Sequence, residues 1–225
     1  MQLVIRRYRP LDKDTVLTLF SDGILEHIGP CFHNAMTSPL YLCITLGLCA
    51  AGYFLGSVLG ALVSAGGWVG LVYYCCHELY TSYVRARLQT DMQDIPGNYL
   101  SRPDDCFWVA EAEVNGKSRV VGMVAVAAKQ NGKERYGELF RMIISSSCRW
   151  TGLGSRLAQT AIDFCRERGF SSVILETSST QTAAVALYEK MGFSLVQSHT
   201  TAEAPHWMVM LARVMVLKME KRIQA

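Results

Sequence analysis

The sequence predicts an α/β fold interrupted by a membrane-inserted helical hairpin. Three observations carry this. A Gly-rich turn, Arg-Trp-Thr-Gly-Leu-Gly at 149–154, joins a strand over 138–144 to a helix over 152–168. A further strand (172–179), helix and strand follow it directly, the helix ending in Ala-Leu-Tyr-Glu-Lys-Met-Gly-Phe at 186–193. And no Asp, Glu, Lys or Arg stands between Glu26 and Glu78.

The chain opens with a strand over 2–9, followed by a helix capped by Asp12 or Asp14, with Val16, Phe20 and Ile24 on one face. The uncharged stretch comes next, bounded by Pro39 and Glu78. Within it, 40–76 is almost wholly apolar, small or aromatic, and a membrane span needs roughly 20 such residues. The greasy run begins too late for a signal peptide, and the first ten residues lack an apolar core. After the insert, Tyr80, Val84 and Leu88 predict a helix over 78–94 that Pro96-Gly97 stops. Strands over 107–114 and 120–128 flank an Asn115-Gly116 turn, and Asn131-Gly132 turns the chain into the 138–144 strand. Gly169 closes the long helix. Last strands are expected over 193–199 and 206–216.

Segment order imposes a topology. If the 2–9 strand joins the same sheet as the later strands, both ends of the insert lie on one side of the bilayer. Residues 40–76 as one straight helix would be about 55 Å long, against roughly 30 Å of hydrocarbon. They are therefore expected to fold back as a hairpin or re-entrant loop, bent at Gly56 to Gly60 or at Gly66-Gly67. Arg6, Arg7, Arg9 and Lys13 before the insert, and Arg85 and Arg87 after it, favour two cytosolic flanks. The competing topology is one long span with a lumenal catalytic part. The organisation expected is 1–30 as the first strand and helix, 38–77 as the hairpin, and 78–225 as the rest of the catalytic domain.

Composition narrows the function classes. Net charge is +3 with scattered basic residues, which speaks against a nucleic-acid partner. The eight cysteines form no paired Cys-x-x-Cys set with each other or with His, so no metal is expected, and their spread suits a reducing compartment. His27, His33 and His77 flank the apolar insert. The uncharged interior of the insert argues against an ion channel.

The Gly-rich turn aims backbone N–H groups and the positive end of a helix dipole at one spot, an anion cradle suited to a pyrophosphate. This turn and the 186–193 motif, in this order and spacing, resemble the GCN5-related N-acetyltransferase superfamily. The resemblance implies a mixed, mostly antiparallel central sheet with flanking helices, and acetyl-CoA as cosubstrate. It implies that Arg149, Thr151, Gly152, Leu153, Gly154 and Ser155 hold the pyrophosphate, mostly through main-chain amides. Amides of Met142, Ile143 and Ile144 would hold the pantetheine arm and thioester oxygen, and Gln181 stands where many relatives carry a cofactor-contacting asparagine.

Tyr188 is the implied general acid for the CoA thiolate; the alternative is a core tyrosine beside Ala184 and Leu187. Glu138, fourteen residues ahead of Gly152, is the candidate base; the alternative is a solvated strand-end glutamate. Strict alternation puts Arg141 on the face opposite Glu138, unless a bulge intervenes. Arg141 is a candidate to bind a substrate carboxylate; the alternative is a structural ion pair. Cys148 lies near the turn, but no partner His activates it, so direct transfer in a ternary complex is expected.

The two motifs together with a membrane hairpin and a split first strand are similar to a narrower group. It comprises the membrane-bound camello proteins, cysteine-S-conjugate N-acetyltransferase and aspartate N-acetyltransferase. The resemblance implies acetylation of the α-amino group of a small-molecule acceptor at the endoplasmic reticulum membrane. Cysteine S-conjugates are the preferred acceptor, because lipophilic conjugates concentrate near membranes. Protein lysine, aspartate, and a non-catalytic acetyl-CoA-binding scaffold remain as alternatives.

Overall fold

The computed structural model describes residues 3–114, 117–132, 134–149, 151–200 and 204–223. The Asn115-Gly116 turn and Trp150 lie outside the described residues. A seven-stranded sheet runs in the order β1-β2-β3-β4-β5-β7-β6. Its strands are β1 (Leu3–Arg7), β2 (Cys106–Val114), β3 (Lys117–Asn131), β4 (Glu134–Ile144), β5 (Ser172–Ser178), β6 (Ser194–His199) and β7 (Val216–Arg222). Every pair is antiparallel except β4 with β5.

Helices cover the two faces unequally. On one face, α6 (Leu153–Glu167) and α7 (Thr182–Lys190) pack Leu157, Ala161, Phe164 and Tyr188 against Val124, Leu139, Leu175 and Met219. On the other, α1 (Lys13–Leu25), α4 (Val58–Leu88) and α5 (Ile95–Tyr99) bring Val16, Phe20, Val84 and Tyr99 onto Phe107, Met123, Ala125 and Ile143. The sequence signals for α1 were sound: Val16 and Phe20 are fully buried and Ile24 packs beside them.

The apolar insert is a helix pair. After α2 (Ile28–Met36), α3 (Pro39–Leu55) and α4 run antiparallel, with Tyr41 against Trp68, Leu48 against Ser64, and Gly52 against Gly60. The chain turns at Gly56 and Ser57, whereas Gly66 and Gly67 lie within α4. A Cβ on Gly52 would sit 2.5 Å from the Gly60 carbonyl oxygen, so the arms touch through bare backbone there. Ser64 Oγ donates to the Leu48 carbonyl oxygen across the pair at 2.9 Å. Outward, Leu46, Phe54, Leu55, Leu59, Leu62 and Val63 are exposed. The long helix α4 is long and apolar enough to cross a membrane, with a mean hydropathy of 1.6 over its best window. It passes without a break through Glu78, so the apolar arm and a core helix of the sheet domain are one rod.

Three sequence expectations need correction. The helix expected over 78–94 ends at Leu88; Pro96 instead opens α5, whose first turn is capped by the Asp94 carboxylate accepting from Gly97 N–H at 3.0 Å. The strand expected over 206–216 is a helix, α8 (His206–Ala212), and the last strand is β7. Residues 206–212 are nearly all apolar, and such a short run has no decisive period; packing against α4 selects the helix. The third correction concerns β4 and belongs with the site.

The strand ahead of the insert is in the sheet: β1 pairs with β2 from Leu3↔Ala112 to Arg7↔Trp108. One guanidinium locks it. Arg6 donates to both Glu111 carboxylate oxygens (2.8 and 3.0 Å) and to both Asp12 oxygens (2.8 and 2.8 Å). Its side chain is only 17% exposed, so removing it strands two partly buried carboxylates. Arg6→Ala is therefore expected to lower unfolding free energy by about 2–3 kcal/mol, read by denaturant titration. Glu113→Ala, which removes an exposed carboxylate of β2, is the control expected within about 0.5 kcal/mol of the parent.

Candidate active site

The site begins where the sheet splits. The strands β4 and β5 are partners only from Tyr136↔Ser172 to Leu139↔Leu175. Beyond Leu139 the parallel strands part, and β4 continues through Met142, Ile143 and Ile144 with its β5-facing edge unpaired. Unpaired main-chain groups at a strand edge offer hydrogen bonds to an extended ligand.

A bulge turns side chains at this point. Met123 is opposite Ile143 and Ala125 opposite Phe140, so two β4 residues, Arg141 and Met142, answer one β3 residue. Arg141 adopts φ +53°, a left-handed conformation rare for a residue with a Cβ. The expected alternation is thereby overturned: Arg141 joins Glu138 and Phe140 on the α1/α4 face. There it grips Asp91 with both arms (Nε to Oδ2 2.8 Å, Nη2 to Oδ1 2.9 Å) and donates to Tyr83 Oη at 2.6 Å. Phe20, Tyr83 and Phe140 rings surround its guanidinium at 5.7–5.8 Å. The structural ion pair, not an open carboxylate site, is what this side chain forms.

Glu138 is half-buried in mid-strand rather than at a solvated end. Its strand partner Ile174 shares its face, as do Glu176 two residues on and Lys218, opposite Glu176 on β7. Burial pushes its carboxyl above the usual range, and Glu176 adds to this, while Lys129, Lys218 and Arg141 pull the other way. Alternation along β5 could have placed Glu176 beside Glu138; nothing local marked Lys218, because β7 was misplaced.

The opposite face carries Tyr188. It is buried on α7, edge-on to Phe193 at 5.7 Å, and its hydroxyl donates to Met142 Sδ at 3.4 Å. Burial holds the phenol well above its ordinary value, so it stays protonated at neutral pH. The structure thus brings Tyr188 and the end of β4 together from residues far apart in sequence.

The Gly-rich turn sits beside them. Gly152 has φ +80° and stands as the N-cap of α6, a conformation that favours glycine. The amides of Leu153, Gly154 and Ser155 are in the first turn and have no intrahelical acceptor. A Cβ on Gly154 would come within 3.0 Å of both Ile144 and Leu187, so its absence lets α6 close on β4 and α7. Thr151 Oγ1 closes the turn onto the Cys148 carbonyl oxygen at 2.7 Å. Arg149 folds back to the Ile144 carbonyl oxygen at 3.2 Å and pairs with Glu26 at the end of α1. Gln181 Oε1 accepts from Thr177 Oγ1 at 2.8 Å, tying the start of α7 to β5. Cys148 is buried in the core beside Leu153. An open groove of about 500 Å³ next to the turn is lined by Ser155, Arg156, Gln159, Lys190 and Met191, of which the sequence had singled out only Ser155.

A split parallel pair, a glycine-opened helix start and a buried tyrosine on the next helix thus lie together at one end of the sheet. Residues 73–193 match the Acetyltransferase (GNAT) family, more than half of the chain, and the chain belongs to that family: it is an acetyl-CoA-dependent N-acetyltransferase of the GNAT type. Within that family its relatives are narrower. It is 36% identical over 192 residues to N-acetyltransferase 8 of Homo sapiens, covering 84% of this chain and 83% of that protein. It is also 36% identical over 197 residues to the Xenopus laevis protein named "Probable N-acetyltransferase camello", covering 84% of each. In fold it is similar to the GNAT-family acetyltransferase of Streptococcus pneumoniae (TM-score 0.57, 22% identity, 99% and 100% of the two chains). The GCN5-related N-acetyltransferase of Kribbella flavida is similar in the same way (TM-score 0.56, 15% identity, 98% of each).

Three outcomes test the site's framework. Asp91→Ala leaves the Arg141 guanidinium buried without its carboxylate (side chains 8% and 17% exposed) and is expected to cost about 3–5 kcal/mol of stability. Burial pushes the Asp91 carboxyl up, but Arg141 and Tyr99 more than offset this and hold it below its usual range. A carboxyl depressed in this way stabilises the fold above its unfolded value, near 3.9, and that contribution is lost as pH falls through the lower folded value. Acid unfolding of the parent should therefore steepen below about pH 4 relative to Asp91→Asn. Separately, Gly152→Ala forces a Cβ into the left-handed region at about 1–2 kcal/mol and should weaken CoA binding by roughly 10-fold in calorimetry.

Proposed function

We propose that the protein acetylates the α-amino group of small amino-acid derivatives, with cysteine S-conjugates as the preferred acceptors. It does so from the endoplasmic reticulum membrane, held by the α3–α4 hairpin, with its catalytic part in the cytosol. The observation that supports this most is the position of Glu138: half-buried, on the sheet face opposite Tyr188, beside the opening between β4 and β5. Base and acid thus approach the split from its two sides.

Acetyl-CoA supplies an acyl group activated as a thioester. Glu138 accepts the proton of the attacking amine, directly or through one water. Tyr188 donates its phenolic proton to the departing sulfur. Main-chain amides of Met142, Ile143 and Ile144 hold the pantetheine arm and the thioester oxygen. Gly152 and the first-turn amides of Leu153, Gly154 and Ser155 hold the pyrophosphate, with Thr151, Arg149 and Gln181 at its rim. Arg156 and Lys190 line the groove beyond for the nucleotide end. Transfer is direct, and Cys148, buried behind the turn, takes no acyl group.

Acceptor choice follows from the charges around Glu138. Lys218 is the cation we assign to the acceptor's α-carboxylate, one strand beyond Glu176 on the same face. Arg141 is committed to Asp91, which leaves the second carboxylate of an aspartate acceptor without a guanidinium. An apolar S-substituent needs no further charge, and the exposed apolar surface of the hairpin gives such molecules a nearby lipid phase.

The test is turnover of purified protein with acetyl-CoA and three acceptors: S-benzyl-cysteine, aspartate and a lysine peptide. The highest kcat/KM is expected for S-benzyl-cysteine; a preference for the peptide would replace this reading with protein lysine acetylation. Glu138→Gln should reduce kcat/KM about 100-fold with CoA affinity unchanged. Because the Glu138 carboxyl is raised, activity of the parent should fall on the acid side above the ordinary carboxylate value of about 4.3, and the Gln variant should lose that limb. Tyr188→Phe should lower kcat about 10- to 100-fold while still binding CoA.

A further inference from the structure

The structure joins the acceptor end of the sheet to the base of the apolar hairpin through α8. Val209 and Ala212 of α8, and Val214 after it, are buried with Cys31, Ala35, Tyr41, Val72 and Cys76. Tyr41 Oη, in the first turn of α3, donates to the Leu211 carbonyl oxygen at 3.1 Å. Cys31 Sγ donates to the Ala212 carbonyl oxygen at 3.6 Å. The opposite face of α8 is bare: Trp207 is 50% exposed and Met210 56%, and Met215 follows at 42%. On either side of the contact, Leu40 and Leu42 of α3 and Leu71 and Tyr73 of α4 are exposed as well. The bare face thus belongs to a helix docked at the base of a hairpin that exposes apolar side chains of its own.

We propose that α8 lies in the headgroup layer of a phospholipid bilayer, as a second membrane contact beside the hairpin, so that the acceptor cleft opens onto the membrane surface. The proposal rests on the hairpin reading above. Three further features favour lipid as the occupant. The segment 204–217 carries one charge, Arg213, and no carboxylate. Trp207 near the start of α8 and Arg213 just after its end are both exposed, an aromatic and a cation of the kinds enriched at membrane interfaces, and Arg213 stands over the buried Tyr41 ring at 5.5 Å. And depth agrees: from Tyr41 to the turn after Leu55 is about 21 Å of helix, so with α8 at the boundary the hairpin tip stays within roughly 30 Å of hydrocarbon.

The contact bears on catalysis through position. The α8 segment connects β6 to β7 at the end where β4 and β5 part. Ser179 N–H, just past β5, donates to the Met215 carbonyl oxygen at 2.8 Å, and Met215 N–H donates back to Ser179 Oγ at 3.1 Å. Tyr80 of α4 reaches Thr180 Oγ1 at 2.9 Å. The wall of the cleft, α8 and the hairpin are thus one connected body. An amine with a large apolar group can keep that group at the lipid surface while its nitrogen enters toward Glu138.

The experiment uses the full chain in phosphatidylcholine vesicles whose lipids are brominated high on the acyl chain, and compares parent with Trp207→Phe. The substitution is at an exposed site, and retained CoA binding confirms the fold. The parent is expected to lose a component of tryptophan emission to these lipids that Trp207→Phe lacks. A second variant, Phe54→Trp in the Trp207→Phe background, reports on the hairpin tip with lipids brominated along the whole acyl chain. Quenching at residue 54 with equal quenching of parent and Trp207→Phe overturns the α8 proposal and leaves the hairpin reading intact. No quenching at either position removes both.

Discussion

The pairing of β1 with β2 is the constraint from which the rest follows. Five residues at one end of the chain lie beside Cys106–Val114, and everything between them, including the apolar insert, must leave the sheet and return. Closing so long a segment is entropically unfavourable but grows only logarithmically with length. The four hydrogen bonds from Arg6 to the Glu111 and Asp12 carboxylates and the close contact of Gly52 with Gly60 give that closure specific geometry. A chain built this way leaves the sheet for its apolar arms and returns to the same sheet, because β1 and β2 are neighbouring strands.

The second organising feature is the parting of β4 from β5. Parallel partners that separate after four residues leave main-chain groups unpaired in the middle of a sheet, which is unfavourable unless a ligand uses them. The protein arranges the cleft around that gap. The bulge at Arg141 re-aims one side chain toward Asp91 and leaves Glu138 as the titratable group of β4 at the opening. Gly154 lets α6 approach from one side, and α7 lays Tyr188 on Met142. Glu138 and Tyr188 thereby stand on opposite faces of the sheet next to the place where the two strands part.

Much of this was legible in the sequence, for identifiable reasons. Gly152 and Gly154 were readable because a left-handed cap and a close helix–strand approach both exclude a side chain. The hairpin was readable because absence of charge over that length has few other causes. What escaped depended on long-range packing. Residues 206–212 carry no polar pattern, so only contact with α4 and Tyr41 decides between helix and strand. The face of Arg141 could not be settled from alternation, because the extra residue of the bulge exists only relative to β3. Lys218 was invisible as a neighbour of Glu138 once β7 had been placed too early, and Arg156 and Lys190 are ordinary surface cations until α6 and α7 form a groove.

The central claim is that the apolar insert is an excursion from one side of a membrane, with the segments before and after it joined in a single acetyltransferase domain. Protease protection on sealed microsomes, with one epitope before β1 and another after β7, tests this directly. Both epitopes are predicted to be digested from the outside of intact vesicles while the α3–α4 segment survives. Digestion of one epitope and protection of the other would place β1 and β2 on opposite sides of the bilayer and contradict the account.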